Sequence, residues 1–196
     1  MIVYKIAAVI LKPIFYLLFV MRVRGKENIP DGAAIVSCNH TSLLDPVILG
    51  IAFGARHPLR FMAKKELFNN KLFGAVLRCI GVFPVNRESV DLATIRTSLQ
   101  VLKNGDKLMM FPEGKRVFEE DESRENVKMG VGMIASRANV PIVPVYISGN
   151  KRLFHRTRIV IGKPIEPVRS EATHNENYMS TALKVFDQIL SLGKAE

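Results

Sequence analysis

Two residues with the chemistry needed for proton transfer lie close together in the first quarter of the chain. His40 follows an apolar run at 34–38, and Asp45 comes five residues later, where a helix is predicted to begin. A carboxylate that holds one imidazole nitrogen leaves the other able to accept a proton, and it stabilises the imidazolium that forms. His40 is therefore a candidate general base oriented by Asp45. An Asp45 that only caps the helix is an equally good interpretation of this spacing alone.

A second segment carries the cations that an anionic substrate requires. Lys115 and Arg116 follow Glu113 just after an apolar run at 107–111, and Arg87 ends another extended run. Arginine binds phosphate through a planar pair of donors, so two arginines at one edge of a sheet indicate a phosphomonoester site. Surface ion pairs with neighbouring glutamates are the alternative interpretation.

The elements that must position these residues alternate between strand and helix. This alternation predicts an α/β fold, a single-domain mixed sheet flanked by helices. Because ligands collect at the carboxyl ends of the strands in such sheets, both loops are expected on one rim. Strands are predicted at 34–38, 59–63, 81–87, 107–111, 142–147 and 158–161, and helices at 46–53, 67–80, 92–104, 127–138 and 178–192.

The N-terminal segment is almost wholly apolar, but Lys12 and Pro13 interrupt it in the middle. A charge and a proline at this depth both disfavour a simple membrane span. We therefore predict two short helices that lie in a membrane interface, with their lysines toward the lipid headgroups. The expected organisation is an interfacial helical segment at 1–21 and a catalytic domain at 22–196. The alternative is a core helix packed on that domain.

The net charge of +10 is concentrated in the first half of the chain, since residues 1–90 carry 12 basic and 5 acidic side chains. Such a surface attracts anionic lipid, phosphorylated substrates, acidic carrier proteins or nucleic acid. No nucleic-acid motif accompanies the charge, so nucleic acid is not an expected partner. Cys38 and Cys79 lack metal-ligand spacing and indicate a reducing compartment.

Four blocks of sequence together resemble a known family. Asn39-His40 with Asp45, followed by 81–87, 111–116 and 140–145, is similar in order, spacing and content to the glycerolipid acyltransferases, particularly the bacterial 1-acylglycerol-3-phosphate acyltransferases. The resemblance covers roughly residues 20 to 165. In the usual third block, Glu-Gly-Thr-Arg, a threonine stands where this chain has Lys115, which adds a positive charge near the expected phosphate.

The resemblance implies a reaction and a set of site residues. A fatty acyl group would move from an acyl thioester, carried by coenzyme A or by acyl carrier protein, to the free hydroxyl of lysophosphatidic acid, forming phosphatidic acid. His40 would be the base, with Asp45 as its orienting partner, and no metal or other cofactor would be required. The reaction would take place at the cytoplasmic face of the cell membrane, with the protein attached as a peripheral or monotopic enzyme. The expected ligands of the acceptor phosphate are Arg87, Glu113, Gly114, Lys115, Arg116 and Lys128.

Other functions remain open at this point. Glycerol-3-phosphate or another lysolipid is an alternative acceptor. Cys38 and His40 lie two residues apart, so they would share one side of a continued strand and could form a nucleophilic thiol–imidazole pair in a hydrolase. A metal-dependent phosphoesterase and a non-catalytic basic protein are weaker alternatives. Within an acyltransferase, backbone amides near the helix start at Asp45 are the expected donors to the oxyanion.

Overall fold

The protein is described here from a computed structural model that covers residues 2–86, 92–114, 116, 123–148 and 151–194. Strands and α-helices alternate from residue 34 to residue 147, as the sequence predicts. The strands are β1 (Arg22–Arg24), β2 (Ala34–Cys38), β3 (Leu59–Lys64), β4 (Val82–Val85), β5 (Lys107–Met110), β6 (Ile142–Ile147) and β7 (Arg158–Ile161). The α-helices are α1 (Ile2–Leu18), α2 (Asp45–Phe53), α3 (Lys71–Cys79), α4 (Leu92–Lys103), α5 (Gly130–Ala138) and α6 (His174–Lys194).

The seven strands form one mixed sheet in the order β1-β7-β6-β2-β5-β3-β4. All neighbours in this sheet are parallel except β6 and β7, which are antiparallel. Strand β2 is central, with β5 on one side and β6 on the other. The carboxyl ends of these three strands therefore meet at one edge of the sheet, and the prediction of a shared rim is confirmed.

Apolar side chains pack on both faces of the sheet. Successive residues of β2 point to opposite faces and belong to two different core clusters. Val36 belongs to a core cluster shared with Ile48 and Leu49 of α2. Ile35, which points to the opposite face, belongs to a second cluster shared with α4, α5 and Ile189 of α6. Helices thus flank the sheet on both sides, and the predicted α/β class is confirmed.

Helix α1 differs from the prediction, because the N-terminal segment forms one helix with Pro13 inside it and not two short ones. Proline removes only one hydrogen bond of the ladder. Packing on one face keeps the helix continuous: Tyr4 and Ala8 are buried, and the Tyr4 hydroxyl donates a 2.9 Å hydrogen bond to the Gly50 carbonyl in α2. Phe15 packs against the core cluster on the same side of the sheet.

Two further boundaries were set by capping residues. The helix predicted at 67–80 is divided into a 3₁₀ turn (Lys65–Phe68) and α3, whose first turn is capped by the Asn70 side chain accepting from the Phe73 amide at 3.0 Å. The terminal helix begins at His174 and not at 178.

The earlier start of α6 has a local cause. The Thr173 amide donates to the Glu176 carboxylate at 2.9 Å, and the Glu176 amide donates back to the Thr173 hydroxyl at 3.3 Å. This reciprocal pair is a capping box, which the Thr-x-x-Glu spacing encodes.

Candidate active site

The imidazole of His40 is held by the carboxylate of Asp45. His40 comes two residues after the end of β2, and Asp45 is the first residue of α2. His40 Nδ1 lies 3.0 Å from Asp45 Oδ2. The same oxygen accepts the backbone amides of Thr41 at 2.9 Å and Ser42 at 2.7 Å. The side chain of Asp45 thus turns back toward β2, and no side-chain cap bonds the first turn of α2. The geometry matches the oriented-base interpretation and not the capping one.

The Asp45 carboxylate is fully buried and still ionised at neutral pH. Burial by itself would raise its pKa, but the hydrogen bond to His40, the positive charge of Lys151 and the Ser42 amide together hold the pKa below its ordinary value of 3.8. An ionised Asp45 accepts the Nδ1 proton of His40, so the neutral imidazole presents Nε2 as its acceptor nitrogen.

Lys151 is a site residue that sequence reasoning missed. It follows β6, and its Nζ lies 3.1 Å from Asp45 Oδ1 with the lysine side chain only 2% exposed. Nothing in its local sequence distinguishes Lys151 from Arg152, which is exposed. Only the order of the strands, with β6 beside β2, brings Lys151 to the His40–Asp45 pair.

Neighbouring strands fix the position of the His40 ring. The Asn39 side-chain amide donates to the Ile147 carbonyl at 3.1 Å and accepts from the Ile147 amide at 3.0 Å, which joins the end of β2 to the end of β6. From the β5 side, Phe111 stacks on His40 with ring centroids 3.7 Å apart and planes 12° from parallel. The ring is therefore restrained along its edge and across its face.

An apolar groove of about 640 Å³ lies beside His40, a volume within the usual range for small-molecule sites. Its walls come from α1, α2, β3, β4 and the segment around α3, with Tyr4, Val47 and Phe61 among the lining residues. His40 and Arg116 both line this groove. The arrangement thus joins a proton acceptor, a cation and a long apolar surface in one space.

The loop after β5 carries three of the predicted phosphate ligands that the structure describes, Glu113, Gly114 and Arg116. Arg116 is exposed in the groove, whereas Glu113 is almost fully buried, with 1% of its surface exposed. Gly114 has φ +69°, a left-handed conformation that favours glycine, and its amide donates to the Phe111 carbonyl at 3.0 Å.

The other predicted phosphate ligands are Lys128, Arg87 and Lys115. Lys128 is exposed, and its amide bonds the Pro112 carbonyl at 2.8 Å, which brings the chain before α5 against the Glu113 turn. Arg87 and Lys115 lie outside the described residues. Within the part of the chain that the structure describes, no group of three or more His, Cys, Asp or Glu side chains is arranged to hold a metal ion.

The predicted source of oxyanion donors needs correction. The amides of Thr41 and Ser42 donate to Asp45, that of Leu44 donates to the Ser42 hydroxyl, and that of Asp45 donates to the Ser42 carbonyl. The prediction is wrong for these four amides, because they already donate hydrogen bonds within the turn that holds the Asp45 carboxylate.

Comparison with known proteins defines the class to which this fold and site belong. The family model described as Acyltransferase matches residues 20–148, which include β2, the His40 loop and β6. The chain therefore belongs to the acyltransferase family.

Individual relatives carry a more specific name. The chain is 35% identical over 168 residues to a 1-acyl-sn-glycerol-3-phosphate acyltransferase of Bacillus subtilis, covering 83% of this chain and 82% of the relative. A protein of the same name from Streptococcus pneumoniae is 34% identical, over 81% of this chain and 61% of its own length. The crystal structure of a 1-acyl-sn-glycerophosphate acyltransferase from Thermotoga maritima superposes with a TM-score of 0.72 at 25% identity, over 98% of this chain and 79% of that one.

Proposed function

We propose that this protein transfers a fatty acyl group from an acyl thioester to the free hydroxyl of lysophosphatidic acid, forming phosphatidic acid for phospholipid synthesis. The observation that carries the proposal is that His40, paired with Asp45, lines an apolar groove that Arg116 also lines. A base, an apolar channel and a cation are the three features that a reaction between an acyl chain and a phosphorylated alcohol requires.

In the proposed mechanism, His40 acts on the hydroxyl of the acceptor. As the hydroxyl oxygen attacks the thioester carbonyl carbon, Nε2 takes its proton, and the ionised Asp45 stabilises the imidazolium that forms. Collapse of the tetrahedral intermediate breaks the carbon–sulfur bond, and the imidazolium returns the proton to the departing thiolate. The products are the ester and a free thiol, and His40 is neutral again.

The groove is the proposed site of the fatty acyl chain. Its surface is mostly apolar, and it is lined by residues of α1 and α2 together with β3 and β4. An acyl chain that lies along the groove would bury methylene groups, and each buried methylene would stabilise binding by roughly 0.8 kcal/mol. With the chain held there, the thioester carbon would lie at the His40 end, which is where the base acts.

The phosphate of the acceptor is proposed to bind at Arg116. Arg116 is exposed and lines the groove that His40 also lines, and arginine presents the planar pair of donors that a phosphomonoester accepts. Because Glu113 is almost fully buried, we place it in the wall of this subsite, where its turn presents Arg116. The other proposed members of the subsite are Arg87, Gly114, Lys115 and Lys128.

We further propose that residues 1–21 contact a membrane surface and that residues 22–196 form the acyltransferase domain, giving peripheral or monotopic attachment. None of the helices in the described part of the chain combines the length and hydrophobicity needed to cross a bilayer. The face of α1 that turns away from α2 nevertheless exposes large apolar side chains, among them Ile10 at 60% and Leu17 at 71%. Lys5 and Lys12 are exposed on the same helix. This combination is typical of helices that lie in the interface of an anionic membrane.

A panel of acceptors tests the proposed reaction. The purified chain is incubated with acyl-coenzyme A or an acyl carrier protein thioester, and thiol release is followed with lysophosphatidic acid, glycerol-3-phosphate, a second lysolipid, monoacylglycerol or no acceptor. We expect thiol release that depends on lysophosphatidic acid and matches the phosphatidic acid formed. Equal thiol release without any acceptor would instead identify a thioester hydrolase, and a preference for another acceptor would move the assignment to that acceptor.

A further inference from the structure

Lys151 is a buried cation at the edge of the sheet that carries His40. Its Nζ lies 3.1 Å from Asp45 Oδ1 and donates to the Thr41 hydroxyl, and the lysine and aspartate side chains are 2% and 0% exposed. Lysine is almost never fully buried unless it is paired, because removing an ammonium from water costs several kcal/mol. The buried ammonium of Lys151 is therefore stabilised by the Asp45 carboxylate and the Thr41 hydroxyl.

The two oxygens of Asp45 have different partners. Oδ2 meets Nδ1 of His40 and the amides of Thr41 and Ser42, whereas Oδ1 faces the ammonium of Lys151. With partners on both oxygens, the carboxylate is unable to rotate without breaking an ion pair or a hydrogen bond. The cation thus fixes the oxygen that points away from the reacting groups.

We propose that Lys151 is a positioning residue for acyl transfer, which keeps Asp45 ionised and turned with Oδ2 toward His40 without contacting either substrate. The inference deepens the proposed function and rests on it, because acyl transfer is its readout. Burial favours the protonated form of Asp45, and the charge of Lys151 is one of the causes that lower the pKa of this carboxyl.

A role in phosphate binding fits this lysine less well. Its ammonium is enclosed and already paired, whereas Arg116 is exposed in the groove. Loss of a phosphate ligand raises the Michaelis constant of the acceptor, whereas loss of a positioning residue lowers kcat and leaves both Michaelis constants nearly unchanged. The two roles are therefore separable by kinetics.

Removal of the charge also changes how the pair responds to pH. Without Lys151, a positive charge that opposes protonation of the Asp45 carboxylate is gone. The acidic limb of the pH–rate profile therefore moves to higher pH, and activity recovers toward the wild-type rate as the pH rises. Other charged or titratable groups described near this edge of the sheet are Cys38 at the end of β2, Tyr4 of α1, Lys64 of β3, Glu113 and Arg116 of the loop after β5, and Lys128 before α5. None of these groups is changed in the variants below.

The experiment measures kcat and both Michaelis constants against pH for the wild type, Lys151→Met, Lys151→Arg and Arg152→Met, with lysophosphatidic acid in vesicles. Arg152→Met is the matched control, since it removes one exposed positive charge from the adjacent position. We expect Lys151→Met to lower kcat at neutral pH on the order of 10- to 100-fold and to move the acidic limb upward by roughly 1 to 3 pH units. Lys151→Arg keeps the limb in place, and Arg152→Met changes neither quantity.

An unmoved acidic limb in folded Lys151→Met, or a change confined to the Michaelis constant of the acceptor, overturns the inference. If Lys151→Met fails to fold, Thr41→Val carries the same test, because it removes the hydroxyl that orients the ammonium and leaves both charges in place. We expect a smaller shift of the limb in the same direction, and no shift overturns the inference. A wild-type protein that transfers no acyl group would refute the proposed function itself, which separates the two failures.

Discussion

Replacing Asp45 by alanine is predicted to destabilise the fold as well as the reaction. The substitution removes the acceptor of the Thr41 and Ser42 amides and leaves the ammonium of Lys151 buried without a counter-ion. Breaking a buried ion pair by removing one partner costs about 3–5 kcal/mol. Each stranded amide adds about 1–3 kcal/mol. Because the free energy of unfolding of a typical domain is about 5–15 kcal/mol, this loss removes a large part of the stability of the fold.

Replacing His40 by alanine has a different expected cost. Asp45 keeps its bonds to Thr41, Ser42 and Lys151, and the main loss is the packing of the imidazole on Phe111. Urea unfolding followed by circular dichroism, in one detergent for all proteins, measures both variants. We expect Asp45→Ala to unfold at clearly lower urea concentration than His40→Ala, with Asp45→Asn between them because it keeps an oxygen for the amides. Equal midpoints for Asp45→Ala and the wild type would refute this reasoning.

The same carboxylate makes a stability contribution that depends on pH. Because the pKa of Asp45 in the folded protein lies below 3.8, the contribution is complete above that pH and is lost as the pH falls below it. Asp45→Asn should therefore lose less stability than the wild type between neutral pH and pH values below about 3.8. An unfolding midpoint that falls equally in both proteins would show that Asp45 is not linked to acid unfolding.

Further variants separate substrate binding, chemistry and membrane contact. Arg116→Ala should raise the Michaelis constant of lysophosphatidic acid on the order of 10- to 100-fold and leave that of the thioester nearly unchanged; an equal loss with monoacylglycerol would make the arginine structural. Cys38→Ala should retain substantial activity, and labelled donor should leave no acyl group on the wild-type enzyme, whereas a trapped acyl-enzyme would favour a thiol mechanism. Ile10→Ser combined with Leu17→Ser should lower binding to anionic vesicles, while Leu92→Ser, which alters an exposed leucine of α4, should not. Equal binding by all three proteins would place the membrane contact elsewhere.

Membrane contact is better tested by such substitutions than by deleting the N-terminal segment. Phe19 and Met21 are buried in the core cluster, and Tyr4 is buried against α2. Deleting residues 1–21 would remove these contacts together with the exposed face of α1, so loss of folding and loss of membrane binding would be confounded.

The bounds of a strand could be predicted from local sequence where the apolar pattern and the flanking turn residues agreed. β2, β6 and β7 have the predicted bounds because each contains a short run of apolar residues. Nearly all residues of β2 and β6 are buried, whereas burial alternates along β7. β1 was not predicted, because Arg-Val-Arg has too little apolar pattern to indicate a strand. Its strand conformation depends on the pairing with β7, which is distant in sequence. The unbroken α1 was missed for a similar reason, since the packing that offsets Pro13 comes from α2 and the core.

The His40–Asp45 contact was predictable because the two residues are five positions apart, between the end of β2 and the start of α2. Lys151 was not, since its approach to Asp45 depends on β6 lying beside β2 and on Asn39 joining the two strand ends. The burial of Glu113 was likewise hidden, because a charged residue in a turn is usually exposed. Contacts between residues on different strands can be predicted only when the strand order is known, and spacing along the chain does not give that order.

The most direct measurement compares the wild type with His40→Ala in acyl transfer from an acyl thioester to lysophosphatidic acid, with thiol release and phosphatidic acid both quantified. Urea unfolding of the same samples shows whether the variant is folded. We expect the wild type to form phosphatidic acid in step with thiol release and folded His40→Ala to be slower by about 10²- to 10⁴-fold, the usual contribution of a general base. A folded His40→Ala protein that turns over at the wild-type rate would show that His40 is not the base of this reaction.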